Sequence, residues 1–286
     1  MDDSAHEGTI SATIPRVTRS ALRTLAPLLA AALLAAPAAR ADTFGAEPEG
    51  TVIPVPTPSP SGFTVAWKPA LLTVRLDDGH GEKFGSDKLQ PLRMLARYTG
   101  IAKEGTPFFG RAELEGGTFQ TDTESRGVGS SGYDIAGRFS FGAATRLFEG
   151  VLFIASVGGL VRYQHGAATG GAPTLGNFGI LANAEVEYRI YPFITLSIMG
   201  EAAVAPFPFA ADRNLGDLSD ASEVRARIAL SFDLTLNLAL EVGYDFTRWH
   251  NTFTGSTILR GSDPTGQALV VEAREYAATL GLRWKL

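Results

Sequence analysis

Charged side chains of both signs recur at every second position along several segments of this sequence. Arg111, Glu113 and Glu115 form one such series, and Glu185 and Glu187 belong to another. Because side chains two residues apart share one face of a β-strand, each series predicts a charged strand face. Small residues separate many of these charges, which favours an enclosed polar interior over a solvated surface. The residues predicted to line that interior are Arg111, Glu113, Glu115, Arg138, Arg146, Arg162, Glu185, Glu187, Arg189, Glu201, Arg225, Arg227, Asp233, Glu241, Asp245, Arg283 and Lys285.

Such an interior supports one of two kinds of chemistry. Opposite charges that fill a narrow space pair with one another, and the network then has a structural role. A wider space leaves room for water and small hydrophilic solutes, which makes a narrow selective pore. A barrel of eight strands encloses little more than side chains, whereas sixteen strands leave a channel, so the number of strands bears directly on function.

Two further motifs match the residue spacing of ligand-binding patterns but lack the structural context that those patterns require. One series has the spacing of a calcium loop, but Asp217 occupies the place where that loop needs glycine, and no helices flank it. The other, 127–132, matches the dinucleotide-binding fingerprint without a helix after it. We therefore predict an acidic loop and a flexible loop, with no metal and no cofactor. The calcium-like series consists of Asp212, Asn214, Gly216, Asp220 and Glu223.

The N-terminal segment has the composition of a secretory leader. Arg16, Arg19 and Arg23 precede an apolar run, and Ala39-Arg40-Ala41 supplies a cleavage motif. The run is about 15 residues long, shorter than the roughly 20 that a membrane-spanning helix needs. The predicted organisation is a signal peptide with an N-terminal extension over 1–41, a proline-rich periplasmic tail over 42–62 and one folded domain over 63–286.

Composition narrows the partners. The formal net charge is −5, and no basic cluster of the kind that binds nucleic acid is present, so no nucleic-acid partner is predicted. The chain has no cysteine, which excludes disulfides and the thiol that bacterial lipoproteins acylate. Stability must therefore come from packing and from hydrogen bonding between strands.

Apolar and polar residues alternate through the rest of the chain, which is typical of strands with one apolar face. The predicted strands are roughly 63–76, 89–101, 106–120, 133–148, 151–165, 178–191, 193–205, 222–235, 236–250 and 268–286. The alternation from Val224 to Phe246 is far too long for one strand, so a turn is predicted within Asp233 to Asn237. Long connections alternate with tight ones; the long ones are predicted at 77–88, 121–132, 166–177, 206–221 and 251–267.

Strand length separates a membrane barrel from a soluble one. The apolar stripe from Leu236 to Phe246 covers about 33 Å along a strand, or roughly 25 Å vertically at a 40° tilt. This height equals the apolar band of membrane barrels, whose short turns and long loops lie on opposite sides. Aromatic residues near strand ends are predicted to form two interfacial girdles, and they include Tyr163, Tyr188, Tyr244, Phe246, Tyr276 and Trp284.

The leader, the alternating strands and the rhythm of loops and turns over 63–286 resemble those of small bacterial outer-membrane β-barrel proteins. The resemblance implies an all-β, transmembrane, antiparallel up-and-down barrel of about ten strands, with eight or twelve as alternatives. It also implies contact with lipopolysaccharide, and insertion by the barrel assembly machinery. That machinery usually recognises a terminal aromatic residue, whereas here Leu286 is terminal and Trp284 stands two residues back. The strand predicted to serve assembly carries Tyr276, Leu280, Leu282, Trp284 and Leu286.

Three histidines lie at or beyond the outer ends of predicted strands: His80, His165 and His250. No recognisable motif sets a nucleophile beside any of them, so no catalytic residues are predicted. His165 and His250 take the lipid-facing phase, where lipopolysaccharide phosphates are expected. The function predicted is therefore structural or passive narrow-pore transport. An outer-leaflet hydrolase of lipid A or peptides, or a surface-binding protein that uses its long loops, is the alternative.

Overall fold

The computed structural model describes residues 61–77, 82–101, 107–121, 130–165, 174–211, 216–255 and 268–286. Within those ranges no helix is long and apolar enough to cross a membrane. The predicted leader and residues 42–60 of the predicted proline-rich tail lie outside the described residues, as does His80. The strands are β1 Gly62–Trp67, β2 Ala70–Asp77, β3 Glu82–Gln90, β4 Arg93–Ile101, β5 Phe108–Thr121, β6 Ser130–Phe148, β7 Val151–His165, β8 Leu175–Tyr191, β9 Ile194–Ala211, β10 Asp217–Asp233, β11 Leu238–Thr254 and β12 Leu269–Lys285.

Ten of these strands form a closed ring of antiparallel neighbours. The ring runs from β1 to β4 and then through β5 to β12 in chain order, and β12 returns to β1. At the closure Gly62 pairs with Lys285 and Trp67 pairs with Leu280. The prediction of a ten-stranded, antiparallel, up-and-down barrel is confirmed.

Prolines divide the first two predicted strands. Pro69 separates β1 from β2, and Pro91 separates β4 from β3, because proline has no N–H to donate to a ladder. β12 pairs with β1 and β2 in one continuous register, so β2 continues the line of β1, and β3 pairs with β2. This β2–β3 hairpin extends the wall toward the outer end of the barrel, which is the end that carries the long connections. Within the described residues no ladder joins β3 to β5. β3 starts at Glu82, seven residues before the predicted boundary at 89.

The strands project further toward the long connections than predicted. β9 continues to Ala211 and β10 begins at Asp217, so the loop predicted over 206–221 is wrong in extent. Pro206 indicates a strand end, but the β8–β9 register shifts between Phe178 and Ile180, and this irregularity accommodates the proline. The turn predicted within 233–237 is confirmed, since β10 ends at Asp233 and β11 begins at Leu238.

Alternation assigns the two faces of the wall. Large apolar side chains are exposed on the outside all around the ring; examples are Met94 (51%), Phe141 (69%), Ile180 (69%), Ile228 (48%) and Leu280 (48%). Soluble proteins rarely expose contiguous apolar patches above a few hundred Å². A continuous apolar belt around a closed ring is the lipid-facing band of a transmembrane barrel.

Aromatic side chains border this band. Near the outer end Tyr163 stacks on Phe209 and Phe246 packs against Tyr276, with ring centroids 6.1 and 5.2 Å apart. Near the turns Phe63 packs against Trp284 at 6.1 Å. Of the residues predicted for the girdles, Tyr244 does not lie at a strand end. It lies within the apolar stripe of β11, two residues before Phe246. The pattern omitted Phe63 and Phe209, which only the closed wall brings beside Trp284 and Tyr163.

Candidate functional site

Among the residues whose side chains are described, the inward faces of the strands bring equal numbers of acidic and basic residues into the lumen. The charged residues predicted for the interior, apart from Arg146, lie here, whereas Arg146 is exposed at the lower end of β6, beside a register shift. The lumen also contains charges that the sequence analysis left out. These additional residues are Lys68, Arg93, Arg97, Asp134, Glu223 and Glu275.

Arg138 of β6 is the centre of this network. Its guanidinium contacts four carboxylates from three other strands: Glu201 at 2.8 Å, Glu115 at 2.9 Å, Glu113 at 3.3 Å and Glu223 at 2.5 Å. Its side chain is only 4% exposed. Charge-assisted hydrogen bonds of this kind are about twice as strong as neutral ones. Arg138 therefore ties β6 across the lumen to β5, β9 and β10.

Glu115 is the corresponding acidic centre. Besides Arg138 it accepts a hydrogen bond from Lys68 at 2.7 Å, and Arg93 lies 3.6 Å away. Lys68 and Arg93 both also contact Glu275 at 3.0 Å. Lys68 immediately precedes Pro69, and Arg93 lies two residues after Pro91, so the strand interruptions and the ion pairs occur close together.

A second layer of ion pairs lies nearer the turns. Arg97 and Arg227 both contact Glu241, the former at 2.9 Å. Arg111 donates to Glu185 at 2.6 Å. A cavity of about 20 Å³ lies among these side chains, with room for about one water molecule. Pairs closer still to the turns join Arg283 to Glu187, and Arg189 and Lys285 to Asp233.

Toward the outer end two apolar clusters form a further layer of the lumen, together with buried polar side chains such as Gln164 and Asn251; the sequence analysis did not predict this layer. Phe119 and Trp249 pack with Leu72, Val74 and Ala273 in one buried cluster. A second cluster combines Leu175, Phe253, Leu269 and Val271. The guanidinium of Arg162 lies 4.3 Å from the Trp249 ring centroid and bonds Glu223, which joins the apolar layer to the ionic one.

The lumen is therefore filled in layers. Beside the outer layer, a cavity of about 20 Å³ is lined by Arg162, Asn177, Glu223, Trp249 and other residues. The Arg138 network lies between it and the lower cavity. Neither of these two cavities holds more than about one water molecule, so the described side chains leave little room for water at these two levels of the lumen.

The outer rim brings one histidine beside a hydroxyl and a carboxylate. Thr252 Oγ1 lies 3.2 Å from His250 Nε2, and His250 Nδ1 lies 3.9 Å from Glu272. Sequence reasoning missed this arrangement because Glu272 is on another strand, although the spacing of His250 and Thr252 on one face was visible. His165, also on the exterior, packs against Tyr133 at 5.3 Å and has Thr174 Oγ1 3.4 Å from Nδ1.

Both sequence motifs that match ligand-binding patterns lie partly outside the described residues. Asp217 to Glu223 belong to β10 instead of a loop, and Glu223 bonds Arg138 and Arg162 inside the barrel. Ser130 to Gly132 open β6, and the rest of that motif lies outside the described ranges, as do Asp212 and Asn214. The described residues contain no group of three or more histidine or acidic side chains placed to hold a metal ion.

No protein-family model matches the chain, and no curated protein is similar to it. Among solved structures, the P. putida toluene transporter TodX matches with a TM-score of 0.34 and 9% identity, over 80% of this chain and 91% of that one. The translocator domain of autotransporter NalP from Neisseria meningitidis matches with a TM-score of 0.41 and 8% identity, over 96% and 100%. Ail, the attachment invasion locus protein of Yersinia pestis, matches with a TM-score of 0.28 and 9% identity, over 79% and 99%. These three proteins are outer-membrane β-barrels.

The likeness is one of architecture alone. The activities of these proteins are their own, and the identity is too low for any of their residues to be carried over. What distinguishes this chain lies in its own side chains: the ion-paired lumen centred on Arg138 and the charged outer rim near Glu272.

Proposed function

We propose that this chain is an outer-membrane barrel whose closed, ion-paired lumen gives it a structural role, with the tail preceding β1 in the periplasm. The observation that carries the proposal is the Arg138 guanidinium, held by four carboxylates across the barrel. A conducting pore needs a continuous aqueous path, whereas here side chains from opposite walls meet. On this proposal the chain is inserted by the barrel assembly machinery, and its outer surface contacts lipopolysaccharide.

Planar-bilayer recording tests the closed lumen. We expect purified, folded protein to give no discrete current steps in 1 M KCl, because the ion pairs and the apolar outer layer block the path of hydrated ions. A wide trimeric porin prepared in the same detergent is the positive control. Reproducible steps from the unmodified protein would contradict the proposal and favour passive passage of small hydrophilic solutes. In that case Glu241→Gln should change the ion preference.

The rim arrangement supports a second candidate function, hydrolysis of an ester in the outer leaflet. Thr252 Oγ1 is within hydrogen-bond reach of His250 Nε2, and Glu272 stands near the other ring nitrogen. In this reaction Thr252 Oγ1 attacks the ester carbonyl carbon while His250 accepts its proton. The bond to the alcohol then breaks and the alcohol takes that proton, after which water cleaves the acyl-threonine ester. Glu272 also forms ion pairs with two arginines, which weakens its interaction with His250. This function therefore ranks second.

Acyl release from lipid A in mixed micelles tests the second candidate. If the rim hydrolyses esters, we expect Thr252→Val and His250→Gln each to reduce the rate by at least about 100-fold, as expected when a nucleophile or a general base is lost. Thr254→Val, at the end of the same strand, is the matched control and should retain the rate. Absence of ester cleavage by the unmodified protein, or full activity in Thr252→Val, excludes this candidate.

A further inference from the structure

Charged side chains, with one histidine among them, interrupt the apolar exterior in one sector of the barrel, at its outer end. Arg75 of β2, Arg248 and His250 of β11, and Glu272 and Arg274 of β12 all take the outward phase of their strands. On β6, β7 and β9 the outer end of the exterior instead carries aromatic side chains: Tyr133, Tyr163 and Phe209. The charges are therefore a local feature of three neighbouring strands and not a general property of the rim.

Glu272 lies between the guanidinium groups. Its two carboxylate oxygens contact Arg248 at 2.7 Å and Arg274 at 2.6 Å. Arg75 is opposite Glu272 in the β2–β12 ladder, and His250 is opposite it in the β11–β12 ladder. The side chains of Arg248 and Arg274 are 49% and 42% exposed. Each arginine thus uses one nitrogen on Glu272 and presents the guanidinium to the surroundings.

The ladder register places like charges directly opposite one another. Arg248 pairs with Arg274 across β11 and β12. Like charges at directly opposed positions destabilise a sheet, and one carboxylate shared by two arginines offsets this repulsion only in part. A second anion beside Glu272 would complete the compensation, and a guanidinium fork matches phosphate oxygens in geometry as well as in charge.

The height of the cluster decides what kind of anion reaches it. Phe246 and Tyr276 pack against each other at 5.2 Å. Each lies two residues along its strand from Arg248 or Arg274, on the side nearer the middle of the apolar band. Two residues span about 7 Å along a strand. The arginines therefore lie just outside the aromatic border of the apolar band, at the level of lipid headgroups.

We propose that Arg75, Arg248 and Arg274 form a binding site for the phosphate of an anionic outer-leaflet lipid, whose acyl chains lie along the apolar wall below. The site is independent of whether the lumen conducts. On the β10 side the site is bounded by an acidic residue, Asp220, which is opposite Thr252 in the β10–β11 ladder. On that side the attraction for an anion is confined to the arginines, which favours one headgroup over a diffuse anionic surface.

Native mass spectrometry of the folded protein with added bisphosphorylated lipid A tests the site. At roughly 1 kcal/mol for each arginine near a charged headgroup, the double variant Arg248→Gln/Arg274→Gln should bind about thirtyfold more weakly. Glu272→Gln removes the competing carboxylate and should bind about fivefold more tightly. This increase distinguishes a ligand site from a structural ion pair, whose loss could only weaken the rim.

Three comparisons make the result decisive. Arg146→Gln, an exposed arginine at the opposite end of the barrel, should leave lipid binding unchanged. Dephosphorylated lipid A should bind equally to the unmodified protein and to the double variant. Excess inorganic phosphate should not displace the lipid, because the acyl chains contribute to its binding. Unchanged binding in the double variant, weaker binding in Glu272→Gln, or full displacement by inorganic phosphate would each overturn the proposal. Heat-modifiable mobility on gels verifies that every variant is folded.

Discussion

Replacing Arg138 with methionine is expected to lower the free energy of unfolding by about 3–5 kcal/mol, because four buried carboxylates lose their shared partner. Methionine keeps much of the volume and removes the charge, so the effect is mainly electrostatic. Denaturant unfolding of the protein in lipid vesicles, followed by tryptophan fluorescence, measures the loss. The increase in buried negative charge also predicts water entry and a lower temperature of heat modification.

Arg111→Met is the matched control for this change. Arg111 also lies in the lumen but bonds one carboxylate, Glu185 at 2.6 Å, with Thr99 Oγ1 at 3.4 Å. Replacing Arg111 should lower the free energy of unfolding by clearly less than replacing Arg138 does. Adding Glu201→Gln to Arg138→Met should recover part of the loss, since one unpaired carboxylate is then removed. Equal destabilisation by Arg111→Met and Arg138→Met would show that Arg138 is not a special centre.

Replacing Ile228 with arginine is expected to destabilise the barrel by about 2–4 kcal/mol, the cost of a basic side chain facing lipid near the bilayer midplane. Ile228 is 48% exposed and lies midway along the apolar stripe of β10 that runs from Val224 to Phe232. On a water-exposed barrel the same change would fall within about 0.5 kcal/mol of neutral, as surface substitutions usually do. The measurement therefore decides what surrounds the exterior. Unfolding in vesicles, with the yield of folding into them, provides it.

Val270→Arg controls for the arginine itself. Val270 also faces outward, but it lies at the outer end of β12, one residue after the strand begins. The cost of arginine falls to about 0–1 kcal/mol near the membrane interface, so Val270→Arg should be nearly neutral. A cost at Ile228 no larger than that at Val270 would mean that the apolar belt does not lie in acyl chains.

The alternation of side chains was sufficient to predict the strands. The period of a strand is two whatever its neighbours are, so Glu185 and Glu187 could be assigned to one face before any pairing was known. The turn at 234–237 followed from length alone, since no strand of this barrel could run from Val224 to Phe246. The outer ends were predicted less well, because Pro206 indicated a strand end within β9 and the polar start of β10 at Asp217 has no apolar stripe.

The sequence by itself therefore determined the inward and outward faces of most strands, and it favoured a closed sheet of about ten strands. Only the tertiary structure decided which inward residues meet, because ladder register and closure join positions that are distant in the chain. Arg97 and Glu241 are 144 residues apart and share a bond, and Lys68 and Arg93 converge on Glu115 and Glu275 only once β12 returns to β1 and β2. Similarly, His250 meets Glu272 through the β11–β12 register. A pattern along one strand contains no information about the stagger of its neighbours, and the chemistry of this barrel depends on that stagger.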